Sequence, residues 1–118
     1  MTKYDLEERL ISFSVQIIDL VEQLPNTYIC NHLGKQLLRS GTSPALNYGE
    51  AQAAESTADF IHKLKIILKE LRESLVCLKI LSRKAYLAED IMKSAMEECN
   101  QLVAIFVKSC QTARKNKR

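Results

Sequence analysis

The sequence contains no tryptophan, three glycines, two prolines and no apolar run of membrane-spanning length. So few glycines and prolines exclude a fold of many tight turns and leave a small number of long elements. The start, Met-Thr-Lys-Tyr-Asp-Leu-Glu-Glu-Arg, is charged and has no signal-peptide apolar core, so a cytoplasmic protein that does not engage a membrane is expected. Cys30, Cys77, Cys99 and Cys110 include no Cys-x-x-Cys pair to clip a metal or run thiol exchange, and read as buried free thiols. His32 and His62 stand apart from each other and from acidic pairs at ligand spacing, so no metal or cofactor is expected. Ser-His-Asp chemistry, a phosphate-cradling glycine loop and H-E-x-x-H are missing. HEPN-type ribonucleases are also helical bundles, with an Arg four to six residues before a His. Neither His32 nor His62 has one. The expectation is a protein without enzymatic activity and without a small-molecule substrate.

What is present is helical periodicity. At 118 residues, 47% hydrophobic and 26% charged, the chain suits one soluble domain over residues 1–118. Such a domain buries about two-thirds of the surface its unfolded chain exposes. Leu6, Leu10, Phe13, Ile17, Leu20 and Leu24 alternate at spacings of four and three, predicting a first helix over about 5–24 that Pro25 stops. Asn26 or Thr27 can cap a second helix carrying Ile29, Leu33, Leu37 and Leu38 over about 27–53, kinked near Pro44. Ser56-Thr57-Ala58-Asp59 has the form of a capping box, with Asp59 replacing the usual Glu, and opens a third helix over 57–84. Its seam of Phe60, Leu64, Ile67, Leu71, Leu78 and Leu81 is broken only by Ser74. Glu89 and Asp90 begin a fourth helix over 89–113, lined by Met92, Ala95, Cys99, Leu102, Phe106 and Cys110, before a polar end that is expected to fray. Four long helices with short connections make neighbours antiparallel, hence an all-α, up-down-up-down four-helix bundle.

Arg39, Ser43, Asn47 and Glu50 follow one another at spacings of four, four and three and form one polar stripe on the second helix. Gly41, Pro44 and Gly49 beside them lower helix stability, by roughly 1 kcal/mol for each Gly and about 3 for an interior Pro. Close packing and a hydrogen-bonded structural polar seam would offset that cost. Arg39 and Glu50 lie about three turns apart, too far to pair within one helix. Glu50 is therefore expected to pair with a base from another helix or subunit.

Charge is unevenly placed under a net +3. Residues 108–118 hold Lys108, Arg114, Lys115, Lys117 and Arg118 and no acid. The third helix carries Lys65, Lys69, Arg72, Lys79 and Arg83 on one face, with Glu70 and Glu73 close enough in sequence to weaken it. Both segments are candidate contacts for RNA phosphates, although basic faces and tails are usually just solvated, and no aromatic in the tail could stack on a base.

Arg39-Ser-Gly-Thr-Ser, Asn47-Tyr48, Glu50-Ala51, Ser56, Asp59-Phe60-Ile61, Lys63-Leu64, Leu68-Lys69-Glu70 and Glu73 together resemble the bacterial four-helix-bundle family named after proteins encoded in intervening sequences of 23S ribosomal RNA genes. The likeness is close over roughly residues 33–82 and extends to the outer helices by pattern. Cys77, where relatives often carry an aromatic, and the placement of Pro44 depart from it. The resemblance implies a left-handed bundle assembled as a homopentamer around a central channel, with no enzymatic activity and no established molecular function. Accessory proteins of diversity-generating retroelements, which look similar in fold, bind a reverse transcriptase and RNA through basic surfaces. Two readings follow: a self-associating module that engages structured RNA or a nucleoprotein, or a protein-only scaffold serving a reverse transcriptase.

Overall fold

The computed structural model describes residues 2–116. Four helices account for nearly all of them: α1 (Lys3–Glu22), α2 (Tyr28–Gln52), α3 (Thr57–Arg83) and α4 (Glu89–Lys115). The bundle measures 49 × 22 × 20 Å. Cross-helix contacts fix the directions. Arg39 meets Glu70 and Glu50 meets Lys63, so α2 and α3 run antiparallel. Ser14 reaches Gly41 across α1 and α2, and the Cys99 thiol donates to the Leu71 carbonyl across α3 and α4. Arg9 paired with Glu98 closes the square through α1 and α4.

Helix ends follow local chemistry. Thr2 caps α1 in a reciprocal box, its hydroxyl accepting from the Asp5 amide while the Asp5 carboxylate accepts from the Thr2 amide. The helix thus starts at Lys3, two residues before the position read from sequence. It also stops earlier, at Glu22, because Pro25 bars Leu24 from the α region and Gln23 becomes the cap. Ser56 caps α3 by accepting from the Asp59 amide at 3.0 Å. After Arg83 the chain turns through Ala85, whose φ of 54° lies in the left-handed region that favours glycine. At its far end α4 does not fray at Thr112: Ala113 packs on the core, and Arg114 and Lys115 lie in the last turn, where positive charge favours the helix dipole.

The core runs the length of the bundle. Leu10, Phe13, Ile17 and Leu20 of α1 meet Ile67, Leu71, Leu78 and Leu81 of α3 and Met92, Leu102 and Phe106 of α4, all almost fully buried. α2 contributes differently. Its buried face is Cys30, Gly34, Leu37, Ser40, Gly41, Pro44, Tyr48 and Ala51, while Ile29 and Leu38, expected inside, are exposed. Small residues let α2 approach α1 closely: a Cβ on Gly41 would stand 2.8 Å from Cγ2 of buried Ile17. Pro44 sits inside this face, and α2 continues through it without interruption. Near the end of the face Tyr48 stands edge-on to Phe106, ring centroids 6.0 Å apart.

Gly41 and Gly49 lie in one helix but in opposite surroundings, since a Cβ on Gly49 would meet nothing within 4 Å. Gly41→Ala should destabilise the protein by about 1–3 kcal/mol through forced displacement of Ile17. Gly49→Ala should stabilise it by up to about 1 kcal/mol through helix propensity. Urea unfolding of both variants checks the pair, and equal signs would contradict the packing described.

Candidate nucleic-acid interface

The polar stripe of α2 lies along its border with α3, partly open to solvent rather than inside the core. Arg39 is its main anchor. One guanidinium nitrogen donates to Glu70 Oε2 at 3.0 Å and the other to Glu73 Oε2. Glu70 is buried, 8% exposed, whereas Arg39 keeps about half its side chain in water. Asn47 donates to the Ser43 hydroxyl at 2.8 Å and to its carbonyl at 3.0 Å. Glu50 lies 3.6 Å from the ammonium of Lys63 on α3.

The buried polar contact lies one residue away from the stripe. Ser74, the single break in the apolar seam of α3, donates at 2.8 Å to the hydroxyl of Ser40, which donates in turn to the Leu37 carbonyl at 3.4 Å. Both serines are fully buried. Sequence reading missed this pair because Ser40 belongs to no apolar period. The signal was the gap at Ser74, a polar position in an otherwise unbroken seam, which calls for a polar partner across the interface.

These contacts decide the charge of the outer surface. Glu70 and Glu73 are turned toward α2 and held by Arg39, so they do not interleave with the α3 cations as their sequence positions suggested. Lys65, Lys69, Arg72, Lys79 and Arg83 are all exposed, and no acidic partner lies within ion-pair distance of them among the described residues. The C-terminal bases divide. Arg114 is exposed in the last turn of α4; burial raises the pKa of the Cys110 thiol, and the positive charges of Arg114, Lys65 and Arg72 partly offset that rise. Lys93, not singled out in the sequence, joins Lys79 beside a shallow groove between α3 and α4 that Glu97 also borders. Lys108 instead borders a groove at the end of the bundle with Leu6, Tyr48 and Phe60. Lys115 is exposed in the last turn, and Lys117 and Arg118 lie outside the described residues.

Little else in the molecule offers chemistry. All four cysteines are free and buried, and burial pushes Cys77 to about 11 and Cys99 to about 12, which keeps both as unreactive thiols. Among the described residues no group of three or more His, Cys, Asp or Glu could hold a metal ion, and no helix is long and apolar enough to cross a membrane.

Removing Arg39 leaves the buried Glu70 carboxylate without its cation. Arg39→Met should cost about 1–3 kcal/mol. Glu70→Gln in the same chain should recover part of that loss. A double-mutant cycle read by urea unfolding should return a coupling of at least 0.5 kcal/mol in magnitude for Arg39 with Glu70, larger than for Arg39 with the more exposed Glu73. Zero coupling would mean that the pair is only a surface contact.

Comparison with known proteins agrees with this architecture. The family described as 23S rRNA-intervening sequence protein matches residues 2–108. A protein of unknown function from the S23 ribosomal protein family of Bacteroides thetaiotaomicron VPI-5482, solved by crystallography, is similar at 33% identity with a TM-score of 0.81. The likeness covers 88% of this chain and 96% of that one. No curated protein matches the chain. On the extent of the family match, the chain belongs to the 23S rRNA-intervening sequence protein family.

Proposed function

We propose that this protein is a non-enzymatic, cytoplasmic interaction module that self-associates through its apolar outer surfaces and binds structured RNA through the basic α3–α4 face. The observation that carries this reading is the separation of the two kinds of surface. On α1, Tyr4, Ile11, Val15 and Ile18 share the solvent side of the helix, each between 38% and 72% exposed. Leu38 and Leu46 of α2 add to the exposed apolar surface. A monomer has no use for such a stripe, and large exposed apolar patches mark association sites. The basic face lies on α3 and α4, with Val76 as its apolar interruption on α3.

A second apolar patch favours a ring. Val76 and Ile80 of α3 border a groove with Leu33 and Cys77, and Tyr28 and Ile29 at the start of α2 are exposed. Two unlike patches on one chain suit head-to-tail contacts, which close into a ring when the rotation per subunit allows, and a homopentamer is the closed form proposed.

Light scattering should return a mass near five times 13.4 kDa. Val15→Glu together with Ile18→Glu should reduce it to that of one chain without loss of helical circular dichroism. A monomeric wild-type protein would overturn the assembly. Filter binding to a folded RNA should show affinity that falls steeply as salt rises. No affinity at low salt, or affinity indifferent to salt, would overturn the RNA reading.

A further inference from the structure

We infer that the α3–α4 face recognises the phosphate backbone of a double helix, without reading base sequence, in preference to single-stranded RNA. The inference rests on the RNA reading above and narrows its ligand. Three observations carry it: the shape of the basic surface, the rigidity of its support, and the lack of stacking groups.

Lys65 and Arg83 stand about 27 Å apart along α3 at about 1.5 Å per residue, with Lys69, Arg72 and Lys79 between them. That length spans about eight base steps at the roughly 3.4 Å of B-form DNA and somewhat more of an A-form RNA duplex, whose rise is shorter. Lys93 and Arg114 place cations on α4, whose axis lies about 8–10 Å away as for any packed helix pair. The result is one straight row of cations on α3, flanked by single cations near the two ends of α4 with Glu97 beside Lys93, and such a row suits a straight, regular phosphate backbone better than a winding chain. Duplex RNA is recognised mostly by shape and by backbone contacts of this kind.

The row is held rigidly. Leu64, Ile67, Leu71 and Leu78 of α3 and Leu102 and Phe106 of α4 anchor both helices in the core. Fixed charges suit a stiff ligand whose phosphates are already spaced, whereas a flexible strand would lose conformational entropy in following them.

Single-stranded RNA is bound largely by stacking bases on aromatic side chains. The strongly exposed aromatics are Tyr4 and Tyr28, which belong to α1 and α2. Tyr86, in the α3–α4 turn, and Phe60, at the start of α3, are both packed against the core. The basic face therefore offers charge without stacking.

The test is fluorescence anisotropy with the full chain, using a 20-base-pair RNA duplex, one of its strands alone, and a second duplex of unrelated sequence. The duplex should bind at least tenfold more tightly than the strand, and the two duplexes should agree within about threefold. The plot of log K against log salt should fall with a slope of about −4.5, as five phosphate contacts at about −0.9 each would give for a double helix. Lys69→Glu with Arg72→Glu should weaken duplex binding at least tenfold and flatten the slope. Lys35→Glu, on an exposed part of α2, should change it less than twofold. Circular dichroism confirms that each variant is folded. Equal or tighter binding of the single strand would overturn the duplex preference while leaving the RNA reading in place. A tenfold difference between the two duplexes would overturn sequence-independent recognition. No binding of either form would overturn both readings.

Discussion

The grip of Arg39 on Glu70 and Glu73 ties the fold to its outer chemistry. A carboxylate as enclosed as Glu70 needs a cation, because a buried charge without a partner is strongly destabilising. Meeting that need fixes α2 against α3 at one register, and the buried Ser40–Ser74 hydrogen bond one step away fixes the same register from inside. A slip of one residue would leave two hydroxyls and a carboxylate unpaired at once. The same contacts turn both acids of mid-α3 away from the face that carries Lys65, Lys69 and Arg72. One interaction therefore orients a helix pair and sets the sign of the surface beside it.

The two sides of the bundle then divide. α1 and α2 meet through small residues on α2, which lets α1 lie close and leaves its outer apolar stripe uncovered. α3 and α4 meet through large side chains and present charge outward. The apolar stripe of α1 lies apart from the basic face, whereas the Val76–Ile80 patch of α3 borders it, so contact through that patch would cover part of the surface proposed for a polyanion.

Much of this was legible in the sequence. Apart from Leu24, which lies beyond α1, and Phe60, both only partly buried, the heptad seams of α1, α3 and α4 are buried, and Pro25, Ser56 and the acidic start of α4 marked real boundaries. The buried face of α2 was not legible. Periodicity registers large apolar side chains, and here Gly34, Ser40, Gly41 and Pro44 are inside while Ile29 and Leu38 are outside. The stripe from Arg39 to Glu50 could be seen as a row, but its partners, Glu70, Glu73 and Lys63, depended on which face of α3 met it. Charges close in sequence were separated by that choice, as Glu70 was from Lys69. Arg114 and Lys65, distant in sequence, both act on the Cys110 thiol because α4 returns antiparallel to α3. The capping box at Thr2 was missed because a single Thr before a charged stretch resembles ordinary solvated sequence.

Whether Arg39 keeps the α3 acids off the basic face is tested most directly by measuring duplex-RNA affinity for Arg39→Met alone and combined with Glu70→Gln and Glu73→Gln. The single variant should bind several-fold more weakly, as two released carboxylates return to the neighbourhood of Lys69 and Arg72, and the triple variant should recover at least wild-type affinity although Arg39 is still missing. An affinity unchanged in the single variant, or equally low in the triple variant, would contradict that role of Arg39.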